Sequence, residues 1–330
     1  MKIKTFIIKL FLSFFIFFKS FSTEVIFESS NMDVKNNGNF VIAYDVKVEI
    51  PNDKLSIKSK KASYDKITDI IIFEDNVDYK DYGNNIKIKS NKITYNRNTN
   101  IIYSAGKVIL VIENKYKIKS DDLFYNREVN SIYSESKTII EDNYQNIYNL
   151  SDNFYFDTIN EIIKSGKSEI VDKYQNRYLF QDLQLNLVNN EIAGKEIKVE
   201  FNDGYFGNRN NDPILKGRSS YSNNDELKIY KAVFSTCNTD NKKCRGWELN
   251  SEEFKHDKNQ KLFEYKKSWL KIFDYKLFYL PYFNHPDPTV KRKSGFLTPS
   301  YSSSDSLGTS INFPYFKVLD VDKDLTFSPR

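Results

Sequence analysis

From Glu24 to Phe201 apolar and polar residues alternate with the period of a β-strand: Ile86 and Ile88 fall on one face, Lys87 and Lys89 on the other. No apolar stripe of useful length follows the 3.6-residue helical spacing, which excludes helical repeat arrays. The alternation itself repeats. Ile57-Lys58-Ser59, Ile88-Lys89-Ser90 and Ile118-Lys119-Ser120 are nearly one tripeptide, and the anchors Tyr64, Tyr95, Tyr125, Phe156 and Leu187 stand 31, 30, 31 and 31 residues apart. After most anchors comes a polar corner, such as Asn96-Arg97-Asn98-Thr99-Asn100, where Asn and Asp favour turns by bonding to nearby backbone.

Each repeat therefore reads as short strands joined by corners. Two all-β architectures fit, a parallel β-solenoid and an antiparallel jelly-roll with a long taper. In either, the apolar side chains of successive repeats form a continuous strip along the long axis, and a strip that is not fully closed can hold extended acyl chains. The candidates for lining it are Ile57, Tyr64, Ile86, Ile88, Tyr95, Val108, Ile118, Tyr125 and Phe156. Ordinary core packing is the competing reading of the same residues.

The first 22 residues form a different class of segment. Lys2 and Lys4 precede the apolar run Phe6 to Phe18, and Ser20 and Ser22 are small residues before Thr23, the layout of a cleavable secretory signal. The run is shorter than the roughly 20 apolar residues that a helical span needs and is interrupted by Lys9. Any membrane involvement of the rest must come through strands. The whole chain of 330 residues has a formal charge of +5, but setting aside the four lysines of the leader leaves 45 basic against 44 acidic residues. That balance argues against nucleic acid as a partner. With 11 Gly, 2 Cys and 2 His, the chain lacks phosphate-cradling glycine loops and could supply a four-ligand nitrogen and sulfur zinc site only by using Cys237, Cys244, His256 and His285 together. No nucleophile elbow, P-loop or H-E-x-x-H motif is present, so no catalytic residue, metal or cofactor is expected.

Beyond Tyr205 the repeat fades. Asp212-Pro213, Lys216-Gly217-Arg218 and Ser219 to Asn224 read as a linker or irregular crossing, followed by strand-like runs at Trp247 to Phe254 and Trp269 to Leu280. The chain then reaches Tyr279-Leu280-Pro281-Tyr282-Phe283, His285-Pro286-Asp287-Pro288-Thr289-Val290 and Lys291 to Pro299. These blocks, with Asn211-Asp212-Pro213, Lys216 to Ser219, Ser235-Thr236-Cys237 and Trp247-Glu248-Leu249 in the same order, resemble the LptD family of lipopolysaccharide-assembly outer-membrane proteins. The thirty-residue units are similar to the periplasmic repeat domain of that family, also found in the soluble carrier LptA.

The resemblance implies a periplasmic β-jelly-roll over residues 23–204 after a signal peptide at 1–22, a connecting region at 205–293, and the first strands of a transmembrane barrel at 294–330. It further implies lipopolysaccharide as cargo, an LptE-like lipoprotein plug, an LptA-like periplasmic bridge, and placement in the outer membrane with the N-terminal domain in the periplasm. Ser294 to Ser302, Leu307 to Phe316 and Leu325 to Arg330 are the expected barrel strands. Three cannot close a barrel, which needs about eight, so the chain is expected to be a fragment of a longer protein. Pro299 and Pro314 match a proline pair that the family carries in its first barrel strands; lacking an N–H, they would weaken a seam that opens as a lateral gate. Cys237 and Cys244 are expected to bridge each other, although the family also pairs the first with cysteines near the far end of the barrel. Lys291, Arg292 and Lys293 are candidates for lipid phosphates. Two rival readings are a soluble LptA-like carrier and a secreted β-solenoid enzyme acting on polysaccharide.

Overall fold

The computed structural model describes residues 26–329 apart from 152, 203–213, 236–245, 288, 291, 298–299 and 305–307. Among the described residues every regular element is a strand except two single-turn 3-10 segments, Asn36–Gly38 and Pro51–Asp53. Every described strand pairing with a register is antiparallel, which removes the parallel solenoid and with it the solenoid-enzyme reading. The chain forms two compact units, Met1–Thr138 and Ile139–Arg330.

In the first unit, strands Phe40–Ile50, Leu55–Asp65, Ile70–Asp81, Ile86–Asn96, Ile101–Ile112 and Tyr116–Asn126 run as a meander, each paired to the next. One repeat is thus two long strands, and each strand is bent near its middle. The register shifts at Lys58/Lys61, Glu74/Val77, Lys89/Lys92 and Ala105/Val108, and left-handed backbone falls at Asp75, Asn76, Gly106 and Lys107. The repeated serine of the Ile-Lys-Ser tripeptide sits at this bend. Ser59 Oγ donates to the Lys61 carbonyl at 2.9 Å and Ser90 Oγ to the Lys92 carbonyl at 3.0 Å, giving partners to backbone acceptors that the bulge removes from the ladder.

The bend lets one strand line two walls. On one side of it, Val48, Ile57, Tyr79, Ile88, Leu110 and Ile118 pair in sequence across six strands, all of them 2% exposed or less. On the other, Val41, Tyr64, Ile71, Tyr95, Ile102, Tyr125 and Ile132 form a second row in which tyrosine and aliphatic residues alternate. Both rows face one interior, the arrangement of a β-jelly-roll. The corners are Asx turns: Asp65, Asn96 and Asn126 each accept, through Oδ1, the amides two and three residues on. Asp69, Asn100 and Asn130 then close each corner at a φ of 51–53°.

The second unit repeats the scheme with Asx turns at Asp157 and Asn186 and left-handed corner residues at Glu161 and Asn190. Here bent strands split in two, Ile147–Leu150 then Phe154–Asp157, returning as Ile162–Ser165 then Ser168–Val171. Phe156 pairs with Ile163 and Ile163 with Leu185, so the fifth anchor is Leu185, followed directly by its Asx residue, and not Leu187. The segment read as a linker is also strand: Ile214–Ser222 pairs on both sides, with Glu191–Glu200 and Glu226–Ser235. Gly217 is there because its strand neighbour crowds it; a Cβ would meet Ile229 Cγ2 at 2.0 Å. The meander continues through Trp247–Asp257, Leu262–Ile272 and Tyr275–Pro286, so the repeat outlasts its sequence signature. Past Ser294 the strands are only two to five residues long, Gly295–Phe296, Ser300–Ser304, Gly308–Asn312, Tyr315–Val318 and Asp324–Phe327, shorter than the 9–11 residues of a membrane-spanning strand.

The first unit is pinned by a buried charge. Asp81, whose side chain is fully buried, accepts from Arg127 Nε at 2.9 Å, from the Gly83 and Asn84 amides, and from the Tyr125 hydroxyl at 3.3 Å. Arg127 also donates to the Asp53 carbonyl, tying three corners together. Removing one member of such a pair leaves the other buried without compensation. Asp81→Ala should therefore cost about 3–5 kcal/mol in urea unfolding, whereas Glu252→Ala, which breaks the exposed pair with Lys231, should cost about 1 kcal/mol or less.

Candidate functional site

The interiors of the two units are the candidate site. In the first, Ile57, Ile86, Ile88, Tyr95, Val108, Ile118 and Tyr125 are all buried at 2% exposure or less, in the interior rows that their alternation predicts. Phe156 is equally buried in the second unit. The middle of the first unit is therefore filled by its own side chains. Tyr64 differs. It is half-buried and lines a hollow of about 380 Å³ with Phe27, Met32, Val48, Ile50 and Ile71, where both walls contribute. At its margin Tyr64 donates to Asp69 Oδ1 at 2.8 Å, and Arg97 reaches the same carboxylate at 3.1 Å. Burial, then the bond to Asp69, pushes the Tyr64 phenol above its ordinary range, so it stays a donor.

The second unit encloses a hollow of about 450 Å³. Its apolar lining includes Phe180, Leu185, Leu187, Ile192, Ile197 and Phe263, and its polar rim includes Asp172, His256, Lys258 and Asp287. Asp172 arrives through a heptapeptide that recurs thirty residues apart, Asp142-Asn143-Tyr144-Gln145-Asn146-Ile147-Tyr148 and Asp172-Lys173-Tyr174-Gln175-Asn176-Arg177-Tyr178. In each copy the aspartate binds two amides of its own turn, the asparagine side chain and the second tyrosine hydroxyl. This repeat is visible in the sequence as spacing, but its chemistry looks like an ordinary polar loop until the tyrosine is seen to fold back onto the carboxylate.

His256 and Asp287 close the rim. His256 Nε2 stands 2.8 Å from Asp287 Oδ2. Burial works against the Asp287 carboxylate, but His256 and the Thr289 amide outweigh it and hold the group down at about 2. Nearby, His285 Nδ1 donates to the Pro286 carbonyl, which leaves Nε2 to accept from the buried Tyr265 hydroxyl at 3.0 Å. Burial lowers the His285 pKa, against the smaller effects of Pro286 and Asp287. Lys258 donates to Ser222 Oγ at 3.1 Å and to the Asn223 carbonyl. These rim residues were not expected from sequence because they come from three places far apart in the chain, with His256 and Lys258 sharing one strand end, and no motif joins them.

The remaining expected site residues are scattered. Arg292 is engaged, pairing with Asp324 and the Val321 carbonyl at 2.5 Å each, while Lys293 is exposed. Pro314 is buried between strands Gly308–Asn312 and Tyr315–Val318 rather than within one, and its carbonyl accepts from the Leu297 amide. Cys237, Cys244, Lys291, Pro299 and the 1–22 leader lie outside the described residues.

No family model matches the chain. Curated proteins do. The chain is 36% identical over 107 residues to LPS-assembly protein LptD of Shewanella sp. (strain MR-4), covering 32% of this chain and 14% of that protein. It is 37% identical over 84 residues to the protein of the same name in Pseudoalteromonas translucida (strain TAC 125), covering 26% and 11%. Against the one from Idiomarina loihiensis it is 25% identical over 145 residues, covering 42% and 19%. The curated homologues of this chain are named LPS-assembly protein LptD. The chain spans less than a fifth of the length of these LptD proteins. Among solved structures it is similar to LptH, the LptA-homologous periplasmic component of the lipopolysaccharide transport device of Pseudomonas aeruginosa, with a TM-score of 0.29 and 11% identity, covering 32% of this chain and 76% of that one. The name of the curated homologues describes assembly rather than catalysis, in line with the expectation of a protein that is not an enzyme.

The rim gives a pH signature. A carboxylate whose pKa falls from 3.8 to about 2 on folding contributes stability that is complete above pH 4 and lost as pH drops toward 2. For the nearly buried Asp287 this amounts to about 2 kcal/mol. Asp287→Asn should flatten the stability profile between pH 4 and 2, measured by urea unfolding at stepped pH. The lowered His285 acts at higher pH, its contribution being lost as pH falls below about 6.5, so Asp287→Asn should leave that limb in place.

Proposed function

We propose that the chain carries lipopolysaccharide toward the outer membrane, with the acyl chains in the jelly-roll interior. The observation that carries this reading is the 36% identity over 107 residues to proteins named for lipopolysaccharide assembly. The two apolar hollows, about 380 and 450 Å³, support it as places where an acyl chain enters without first displacing packed side chains. On this reading Ile57, Tyr64, Ile86, Ile88, Tyr95, Val108, Ile118, Tyr125 and Phe156 line the lipid path. Lys258 adds a cation at the rim of the second hollow, suited to a lipid phosphate.

The finer parts of the reading rest on the family resemblance. They are a periplasmic repeat domain after a secretory leader, a Cys237–Cys244 bridge, an LptA-like bridge and an LptE-like lipoprotein as partners. A barrel whose lateral gate involves Pro299 and Pro314, and a phosphate contact at Lys291 and Lys293, belong with them. Arg292 contributes to that contact only if it leaves Asp324.

A photoreactive phenylalanine analogue tests the path. Placed at Tyr64 and at Leu227, both half-buried beside a hollow, it should capture lipopolysaccharide, while at the exposed corner residue Ile67 it should not. Equal capture at Ile67, or none at the two lining positions in folded protein, defeats the reading. Filling the second hollow by Ile192→Trp should lower capture at Leu227 and leave capture at Tyr64 unchanged.

A further inference from the structure

The hairpin of strands Leu262–Ile272 and Tyr275–Pro286 has a tip that folding alone does not explain. Ile272 pairs with Tyr275, leaving a two-residue loop, Phe273-Asp274, with φ of 49° and 69°. Such loops favour Asn-Gly, because both positions need left-handed backbone. A phenylalanine there is strained, and Phe273 is nevertheless 64% exposed, so packing does not offset the strain. The residues that follow are also uncovered: Tyr275 at 75%, Phe278 at 63% and Tyr279 at 46%. Phe278 and Tyr279 are consecutive in a strand and point to opposite faces, so the tip is bare on both sides.

The chemistry of the tip selects its partner. Lys271 and Lys276 flank it with no carboxylate within ion-pair distance among the described residues, and Asp274 is the one acid between Lys266 and Leu280. Lys276 lies over the Trp269 ring at 5.1 Å, and Trp269 packs against Tyr279 at 5.1 Å. Exposed phenylalanines beside tyrosines with polar tips, flanked by unpaired lysines, match the headgroup layer of an anionic bilayer. Strand addition by a protein fits poorly. The outer edge of Tyr275–Pro286 has no described neighbour, but Pro281 breaks its row of donors.

We propose that this hairpin tip is a membrane-interface anchor: Phe273, Tyr275 and Phe278 enter the headgroup and upper acyl region of an anionic phospholipid surface, and Lys271 and Lys276 meet its phosphates. The inference rests on the preceding reading only for which membrane is meant. A strained aromatic in the turn exchanges some folding stability for apolar area at the point of insertion.

The test uses the full chain with vesicles of phosphatidylethanolamine and phosphatidylglycerol, free of lipopolysaccharide. Bulk binding would also report the Phe6 to Phe18 run, so the reading must be local. With Trp247 and Trp269 changed to Phe, a single tryptophan is placed by Phe273→Trp or, as control, by Tyr144→Trp at a corner that is 78% exposed. Acyl chains brominated near the headgroup should quench the tryptophan at 273 several-fold more than the one at 144; equal quenching overturns the proposal. Phe273→Asn should raise the melting temperature while weakening the vesicle quenching of native Trp269. If Phe273→Asn leaves that quenching intact, the anchor is excluded. A dimer that Phe278→Ser abolishes, with the tryptophan at 273 unquenched, would assign the tip to protein contact and also overturn it. Because these vesicles hold no cargo, this result stands apart from lipid capture at Tyr64 and Leu227, and either can fail alone.

Discussion

A strand that lines two walls has to bend, and a bend inside a sheet strips hydrogen-bond partners from the backbone. This constraint shapes the whole chain. At Ser59 and Ser90 a buried hydroxyl restores the lost partner, and Ser251 and Ser268 face each other at 2.7 Å across a bend of the second unit. Once the bend is secured, residues on either side of it point into one interior, and cross-strand pairing stacks them into rows such as Val48, Ile57, Tyr79 and Ile88. Without the bends the same sequence would make a flat sheet with one greasy face exposed to water.

The polar residues of the repeat follow from the same geometry. Each corner after an anchor reverses the chain in four residues, and an Asx side chain with a left-handed residue after it does so from local bonds alone. The corner then offers its next side chain to the neighbouring repeat. Arg97 reaches back to Asp69 and Arg127 to Asp81, so successive repeats of the first unit are joined by charge as well as by their apolar rows. The Asp69 pair is partly open to water and contributes little, while the Asp81 pair is buried and carries a large penalty for its loss.

Much of this was legible in the sequence, for a physical reason: alternation and corner chemistry are local, and both repeat. Ile57, Ile88 and Ile118 fall on the interior rows that their spacing indicates. What could not be read was set by tertiary contact. The strand character of Lys216-Gly217-Arg218 was masked by residues that usually mark loops, and Gly217 is there to make room for Ile229. The rim of His256, Lys258, Asp172 and Asp287 comes from three separate strand ends or turns, with no shared motif. Leu187 keeps the period by count, but this repeat is two residues shorter, which moves the true anchor to Leu185.

The closed middle of the first unit bears on the proposed cargo. Hydrogen bonds run along each wall and through each bend, so they fix the strands relative to one another, whereas the two walls meet through apolar side chains except at the Asp81, Arg127 and Tyr125 network. Parting the walls leaves the ladder intact and exchanges one set of dispersion contacts for another when an acyl chain takes the vacated space. The cost is then concentrated where polar groups cross between strands and corners, at Asp81, Arg127 and Tyr125, and is small near Tyr64, where a hollow already exists. On the proposed reading lipid therefore enters at the Tyr64 end more readily than it passes the Asp81 network. That network is the place where a path through the first unit meets its greatest resistance.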